Sequence, residues 1–210
     1  MKAIETLKAR LPNNGNKVQA ELVYGQAAIN PREGDNLGTI LIAPSKAHWI
    51  ANRDSAVDIS IPRGNNPFKH WENLRREQLK IKKSEIAIAY PITKYEHGGI
   101  SLSMGYKSGF DYTVSGFVYV TKETLRKCFG VTRISQSIIA QAESCLQSEL
   151  GLLAAWLNGE CYGWHIKEYA LTDDGLDWEE VGILESCGGY FDLEQALNDM
   201  KEIWENLDIS

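Results

Sequence analysis

The sequence predicts an α+β fold, a mostly antiparallel sheet covered by helices that include a long central one. Three observations carry that expectation. Over residues 134–158, Ile139, Ala142, Leu146, Leu150, Leu153 and Leu157 recur at steps of three and four, which puts them on one face of a helix. Segments of alternating polarity arrive in consecutive pairs, as antiparallel strands do. A second amphipathic stripe, with Leu193, Ala196, Leu197, Met200, Ile203, Trp204 and Leu207, follows a capping signal at Asp192. Both helices are expected to pack on the same sheet, within a single domain spanning 1–210.

Taken in order, residues 4–11 suggest a short helix stopped by Pro12-Asn13-Asn14-Gly15. Val18, Ala20, Leu22 and Tyr24 alternate along a strand over 17–24. The turn cluster 30–36 leads into a strand over 37–42; 44–54 has no clear pattern, and 57–61 suggests a short strand. Asn66-Pro67 opens a helix as cap and first residue, with Phe68, Trp71, Leu74, Gln78 and Ile81 inward. Its outer side, over 67–83, is basic, and Arg63 stands just before it. Strands over 86–95 and 100–104 meet at Glu96-His97-Gly98-Gly99, where paired glycines tolerate the positive φ of a tight turn. A buried-type strand at 116–120 runs into a helix over 122–129, capped by Thr121 and stopped by Gly130. Ser135 caps the long helix, Asn158-Gly159 ends it, and Ile138, Cys145, Leu152 and Trp156 widen its stripe. Strands over 161–169 and 181–186 follow, joined through a turn at Asp173-Asp174-Gly175.

Composition bounds the class. Apolar residues make up 43% and charged residues 24%, as in an ordinary soluble globule. The apolar runs are too short to span a bilayer, and residues 1–10 show no secretory pattern, so a cytoplasmic (host-cell) setting is expected. Cys128, Cys145, Cys161 and Cys187 form no Cys-x-x-Cys pair and suggest reduced, mostly buried thiols. The net charge of −6 hides a polarity: residues 1–100 carry 15 basic against 10 acidic side chains, and 101–210 carry 7 against 18.

Several segments share their order and spacing with a known group. They are Asn30-Pro31-Arg32-Glu33 with Asp35-Asn36-Leu37-Gly38-Thr39, Tyr90-Pro91-Ile92, and His97-Gly98-Gly99-Ile100-Ser101-Leu102. Gly116-Phe117-Val118-Tyr119-Val120-Thr121-Lys122-Glu123, Gly159-Glu160-Cys161-Tyr162-Gly163 and Glu185-Ser186-Cys187-Gly188-Gly189-Tyr190 complete them. In this order they resemble a family of small uncharacterised proteins carried by bacteriophages and plasmids. The resemblance implies a mobile-element setting and supplies no catalytic residue.

The chemistry of the sequence points to binding more than to catalysis. No Walker A, nucleophile elbow, zincin or dinucleotide motif occurs, so no catalytic residue, metal or cofactor is expected. Cys161 and His165, four apart on a strand, sit roughly 13 Å apart, too far for a nucleophile and its base. Residues 159–210 hold 14 acids against Lys167 and Lys201. Such density can imitate a phosphate backbone, and it is also what a solvated, solubilising face looks like. The candidate partner-binding residues are Asp173, Asp174, Asp177, Trp178, Glu179, Glu180 and Glu185. The carboxylates of this turn are expected to point to water and cap nothing. Trp178 would either anchor a partner or close the hairpin over the core. The leading expectation is a mobile-element-encoded acidic protein that inhibits a host defence (CRISPR or restriction) nucleoprotein complex by nucleic-acid mimicry. It would make no direct contact with nucleic acid or membrane, and its oligomeric state stays open. Two alternatives stand beside it. One is a small enzyme or ligand-binding protein built on the loops at Gly98-Gly99, Gly109 and Gly188-Gly189; the other is a nucleic-acid-binding accessory protein using the basic helix 67–83.

Overall fold

The computed structural model describes residues 3–12, 15–24, 30–42 and 66–208. The irregular stretch 44–54, the strand expected over 57–61 and Arg63 lie outside them. The chain divides into two compact units, Asn30–Asn158 and a second made of Met1–Ile29 with Gly159–Ser210. Each has its own four-stranded antiparallel sheet and its own helices, an α+β arrangement.

In the Asn30–Asn158 unit, β3 (Thr39–Ile42), β4 (Ile86–Glu96), β5 (Ile100–Met104) and β6 (Tyr112–Thr121) pair in the order β3-β6-β4-β5. α3 (Gln136–Leu157) covers one face. Its Ala142, Leu146, Leu150 and Leu153 are fully buried against Ile40, Ile88, Ile92, Val118 and Val120, as the three-and-four spacing requires. Cys145 and Leu152 stay exposed, so the stripe is narrower than expected. α1 (Pro67–Glu77) packs Trp71 and Leu74 on Leu41, Phe117 and Tyr119 of the opposite face. Covering both faces explains why β6 is buried without a break from Ser115 to Val120. At Gly116 a β-carbon would strike the Leu41 carbonyl oxygen, so only glycine lets β3 approach. α2 (Lys122–Phe129) starts at a Thr121 cap and ends at Gly130 in the left-handed conformation. Phe68, expected inward, is exposed because the helix turns only Trp71 and Leu74 to the sheet. α1 also ends at Glu77, so Lys80, Lys82 and Lys83 lie beyond it.

The other unit draws its strands from both ends of the chain. β1 (Ala3–Thr6), β2 (Lys17–Tyr24), β7 (Tyr162–Leu171) and β8 (Trp178–Tyr190) pair in that order. α4 (Leu193–Asn206) places Ala196, Met200 and Trp204 on Val18, Ala20, Leu22, Trp164 and Ile166. The two helices therefore cover separate sheets, not the shared one expected. The helix expected over 4–11 is instead a strand that continues past Thr6, with Leu7 N–H donating to the Ala20 carbonyl and Arg10 bridging Val18. A segment that short, cut off by Pro12, gains few helical hydrogen bonds, whereas the edge of β2 satisfies its backbone at once.

Candidate docking surface on the acidic hairpin

β7 and β8 form a hairpin closed by a turn whose chemistry is local. The Thr172 N–H donates to the Asp177 carbonyl, and the Gly175 N–H to the Thr172 carbonyl, with Gly175 at φ 70°. The Asp174 carboxylate accepts from the Thr172 hydroxyl at 2.6 Å and from the Leu176 N–H at 3.1 Å. Those bonds, the Thr172 hydroxyl first, hold the Asp174 carboxyl below its ordinary range. Asp177 accepts from the Trp178 N–H at 2.8 Å. Asp174 and Asp177 thus build the turn, which corrects the expectation that its carboxylates cap nothing. Asp173 is exposed, and its side chain holds no bond among the described residues.

β8 is the edge strand and is longer than its partner. Its register against β7 slips three times, leaving Val181, Leu184 and Gly189 as extra residues. Register then sorts the side chains. Trp178, Glu180 and Ile183 share a face with Lys17, Lys167 and Tyr169, whereas Glu179 and Glu185 lie on the α4 side with Ala170 and Ile166. On the first face the Lys167 ammonium meets Glu180 at 2.9 Å and Glu21 at 3.7 Å. The bond to Glu180 is the main cause raising the Lys167 pKa. Lys17 lies 4.6 Å from the Tyr169 ring centre and 5.3 Å from that of Trp178. Trp178 is accordingly half-buried under a lysine, and the seven sequence-picked residues divide between a turn and two sheet faces.

Sequence reasoning missed the acidic flank of α4. Asp192, Glu194, Gln195, Asn198, Asp199 and Glu202 line a shallow depression of about 400 Å³. Their spacing of three and four along one helix edge was the available signal. Asp199 is fixed there, accepting from the Trp164 indole at 2.9 Å and the Tyr190 hydroxyl at 2.5 Å. Burial first, and then the bond to Asp199, push the Tyr190 pKa well above its ordinary value.

Charge follows the division of the fold. The unit of Met1–Ile29 and Gly159–Ser210 has 6 basic and 16 acidic side chains, a net −10, and Asn30–Asn158 has 16 and 12, a net +4. Among the described residues of the acidic unit, four of the five cations are already engaged. Arg10 lies over Trp204, Lys17 over two rings, Lys167 between two glutamates and Lys201 at 4.0 Å from Glu5. The field of β8 and α4 is therefore left to act on solvent or a partner.

Several residues of the competing sites also have structural roles. Arg75 of α1 is buried, bound to Glu72 at 2.8 Å and to the Ile81 carbonyl, and Arg76 pairs with Glu77. Gly98 turns the β4–β5 hairpin, and Gly188-Gly189 lie inside β8. Cys161 is buried, and burial raises its thiol pKa; Cys128, Cys145 and Cys187 are exposed, not mostly buried as expected. Among the described residues no group of three or more His, Cys, Asp or Glu could hold a metal ion, and no helix is long and apolar enough to cross a membrane. No protein-family model, curated protein or solved structure matches the chain.

Proposed function

We propose that the chain is a binding protein that presents its acidic unit to the basic groove of a nucleic-acid-binding partner and displaces nucleic acid there. The observation that carries this reading is the net charge of −10 on a unit whose described cations are largely engaged. Cations brought by a partner meet carboxylates with no counter-ion among the described residues. Asp173, Glu179 and Glu185 are the exposed members of the hairpin set whose side chains, among the described residues, hold no hydrogen bond or ion pair. The resemblance to phage- and plasmid-borne proteins sets the partner class, a host defence nucleoprotein complex of the CRISPR or restriction type.

The test uses the full-length chain as bait in a bacterial lysate, beside an Asp173→Lys/Glu179→Lys/Glu185→Lys variant. The expected result is capture of a nucleic-acid-binding complex that duplex oligonucleotide competes away. Capture should weaken on the order of tenfold in the variant at low salt, and less at high salt. Capture that ignores both the charge reversal and the oligonucleotide would overturn the reading.

A further inference from the structure

β8 carries a feature that charge alone does not require. Val181, Ile183 and Leu184 are 55%, 53% and 42% exposed, and Leu176 in the adjoining turn is 85% exposed. Single exposed aliphatics are ordinary, but three within four positions of one edge strand, with Glu179, Glu180 and Glu185 beside them in the sequence, put an apolar strip and an acidic border together on β8. The strip lies on an edge that, among the described residues, pairs with β7 only. An edge strand of 13 residues is a liability unless something blunts it or covers it.

The bulges blunt it. They leave Glu185–Gly188 as the longest uninterrupted stretch of regular pairing, so a strand added along the free edge finds few consecutive hydrogen-bonding groups. Val181 and Leu184, the bulged residues, and Ile183 between them are all exposed. A second copy of this chain is the wrong occupant, because its matching unit also carries a net −10 and its matching edge is equally broken. A bare polycation satisfies the acids and leaves the aliphatics wet. The occupant whose chemistry fits both is a segment of a partner protein that is basic and also carries branched apolar side chains.

We propose that Val181, Ile183 and Leu184 are the apolar anchors of the docking surface, and that the partner segment they select is basic and amphipathic. This rests on the reading of the hairpin as a docking surface and adds what distinguishes one basic partner from another. The acids draw in and orient any cationic segment, and the aliphatic strip holds those that bury apolar side chains on it. Specificity then resides in the dissociation rate, and steering in the association rate.

The experiment measures fluorescence anisotropy of three labelled peptides of equal charge with the full-length chain: one alternating lysine with valine, one an amphipathic lysine–leucine helix, and one alternating lysine with serine. At least one of the first two is expected to bind more tightly than the lysine–serine peptide by about tenfold or more, and to keep that advantage as salt is raised. Ile183→Asp and Leu184→Asn, exposed positions that leave the core untouched, should erase the advantage while binding of the lysine–serine peptide stays within about twofold. Equal binding of all three peptides overturns the apolar anchor and leaves charge docking standing. No binding by any of them removes both. Reversible self-association of the chain that the Ile183→Asp change abolishes would mean that a second copy covers the strip, and would equally overturn the proposal.

Discussion

Arg32 ties the loop before β3 to the long helix. Its guanidinium meets Glu149 at 2.8 Å and Asn36 at 2.7 Å and donates to the Gly38 carbonyl at 2.5 Å, with the side chain only 2% exposed. Glu149 in turn accepts from the Leu37 and Gly38 N–H groups. At Gly38 an added β-carbon would run into Leu146, so the loop can reach α3 only through glycine. Glu149→Ala would remove the carboxylate that faces a buried guanidinium and accepts from two backbone N–H groups, and we expect a loss of about 3–5 kcal/mol in urea unfolding. A loss under about 1 kcal/mol would show the pair to be dispensable. The role of Arg32 was not legible in the sequence, because its partner Glu149 is 117 positions away. A second residue-scale prediction concerns pH. The Tyr190 hydroxyl is held neutral by burial and by Asp199, so its folded pKa lies above the ordinary 10.0. A group raised on folding contributes stability that is complete below its unfolded pKa and fades as pH climbs through the folded one. Unfolding free energy should therefore fall on the alkaline side above pH 10.0, and Tyr190→Phe should make that decline shallower. An unchanged alkaline slope in the variant would assign the titration to the other raised tyrosines: Tyr119, Tyr162 and Tyr169, raised first by burial, and Tyr90, raised first by its bond to Glu143.

At the scale of elements, the long helix offers the plainest test. Leu150 is fully buried between Ile and Val side chains of the sheet, and Leu150→Ala should cost about 2–5 kcal/mol. Denaturation of the variant within about half a kcal/mol of the parent would contradict the packing. Elements that carry their own start and stop chemistry were legible in the sequence. Ser135, Thr121, Asn66 and Asp192 each accept a backbone N–H at the helix start that their type announces. The β4–β5 hairpin was legible for the same reason, through the positive φ of Gly98. β1 was not, since a strand of four residues exists only by pairing with β2 and has no pattern of its own. β8 was read as the short run 181–186 because its three bulges interrupt the alternation by which a strand is recognised. An apolar stripe states that a helix is covered without stating by which sheet, so two sheets were read as one. At the candidate site the acids were legible by type. Their division into turn-builders, paired groups and exposed groups was not, because Lys167 neutralises Glu180 and Lys17 covers the Trp178 ring from neighbouring strands of the sheet.

For the whole molecule, charge decides what the chain avoids as well as what it meets. Duplex DNA is bound through counter-ion release at cationic groups, and each lost phosphate contact weakens binding in proportion. Among the described cations of the +4 unit, several are withdrawn from that work: Arg32 and Arg75 are buried in ion pairs, Arg76 and Lys94 are paired with Glu77 and Glu96, and Lys80, Lys82 and Lys83 lie beyond the end of α1. The other unit repels the duplex with a net −10, and although a Debye length of about 8 Å at physiological salt screens that repulsion with distance, it does not screen a duplex held in contact. The full-length chain should therefore show no saturable binding to a labelled duplex at physiological salt, and only weak, salt-labile association when salt is lowered. Fluorescence anisotropy across a salt series makes the measurement, with the lysine-reversed hairpin variant beside the parent. If the reading is right, the variant gains weak duplex binding as repulsion falls, while it loses the protein partner that the parent captures. A submicromolar complex of the parent with duplex DNA at physiological salt would reverse the argument and move the functional surface from the hairpin to the basic side of α1.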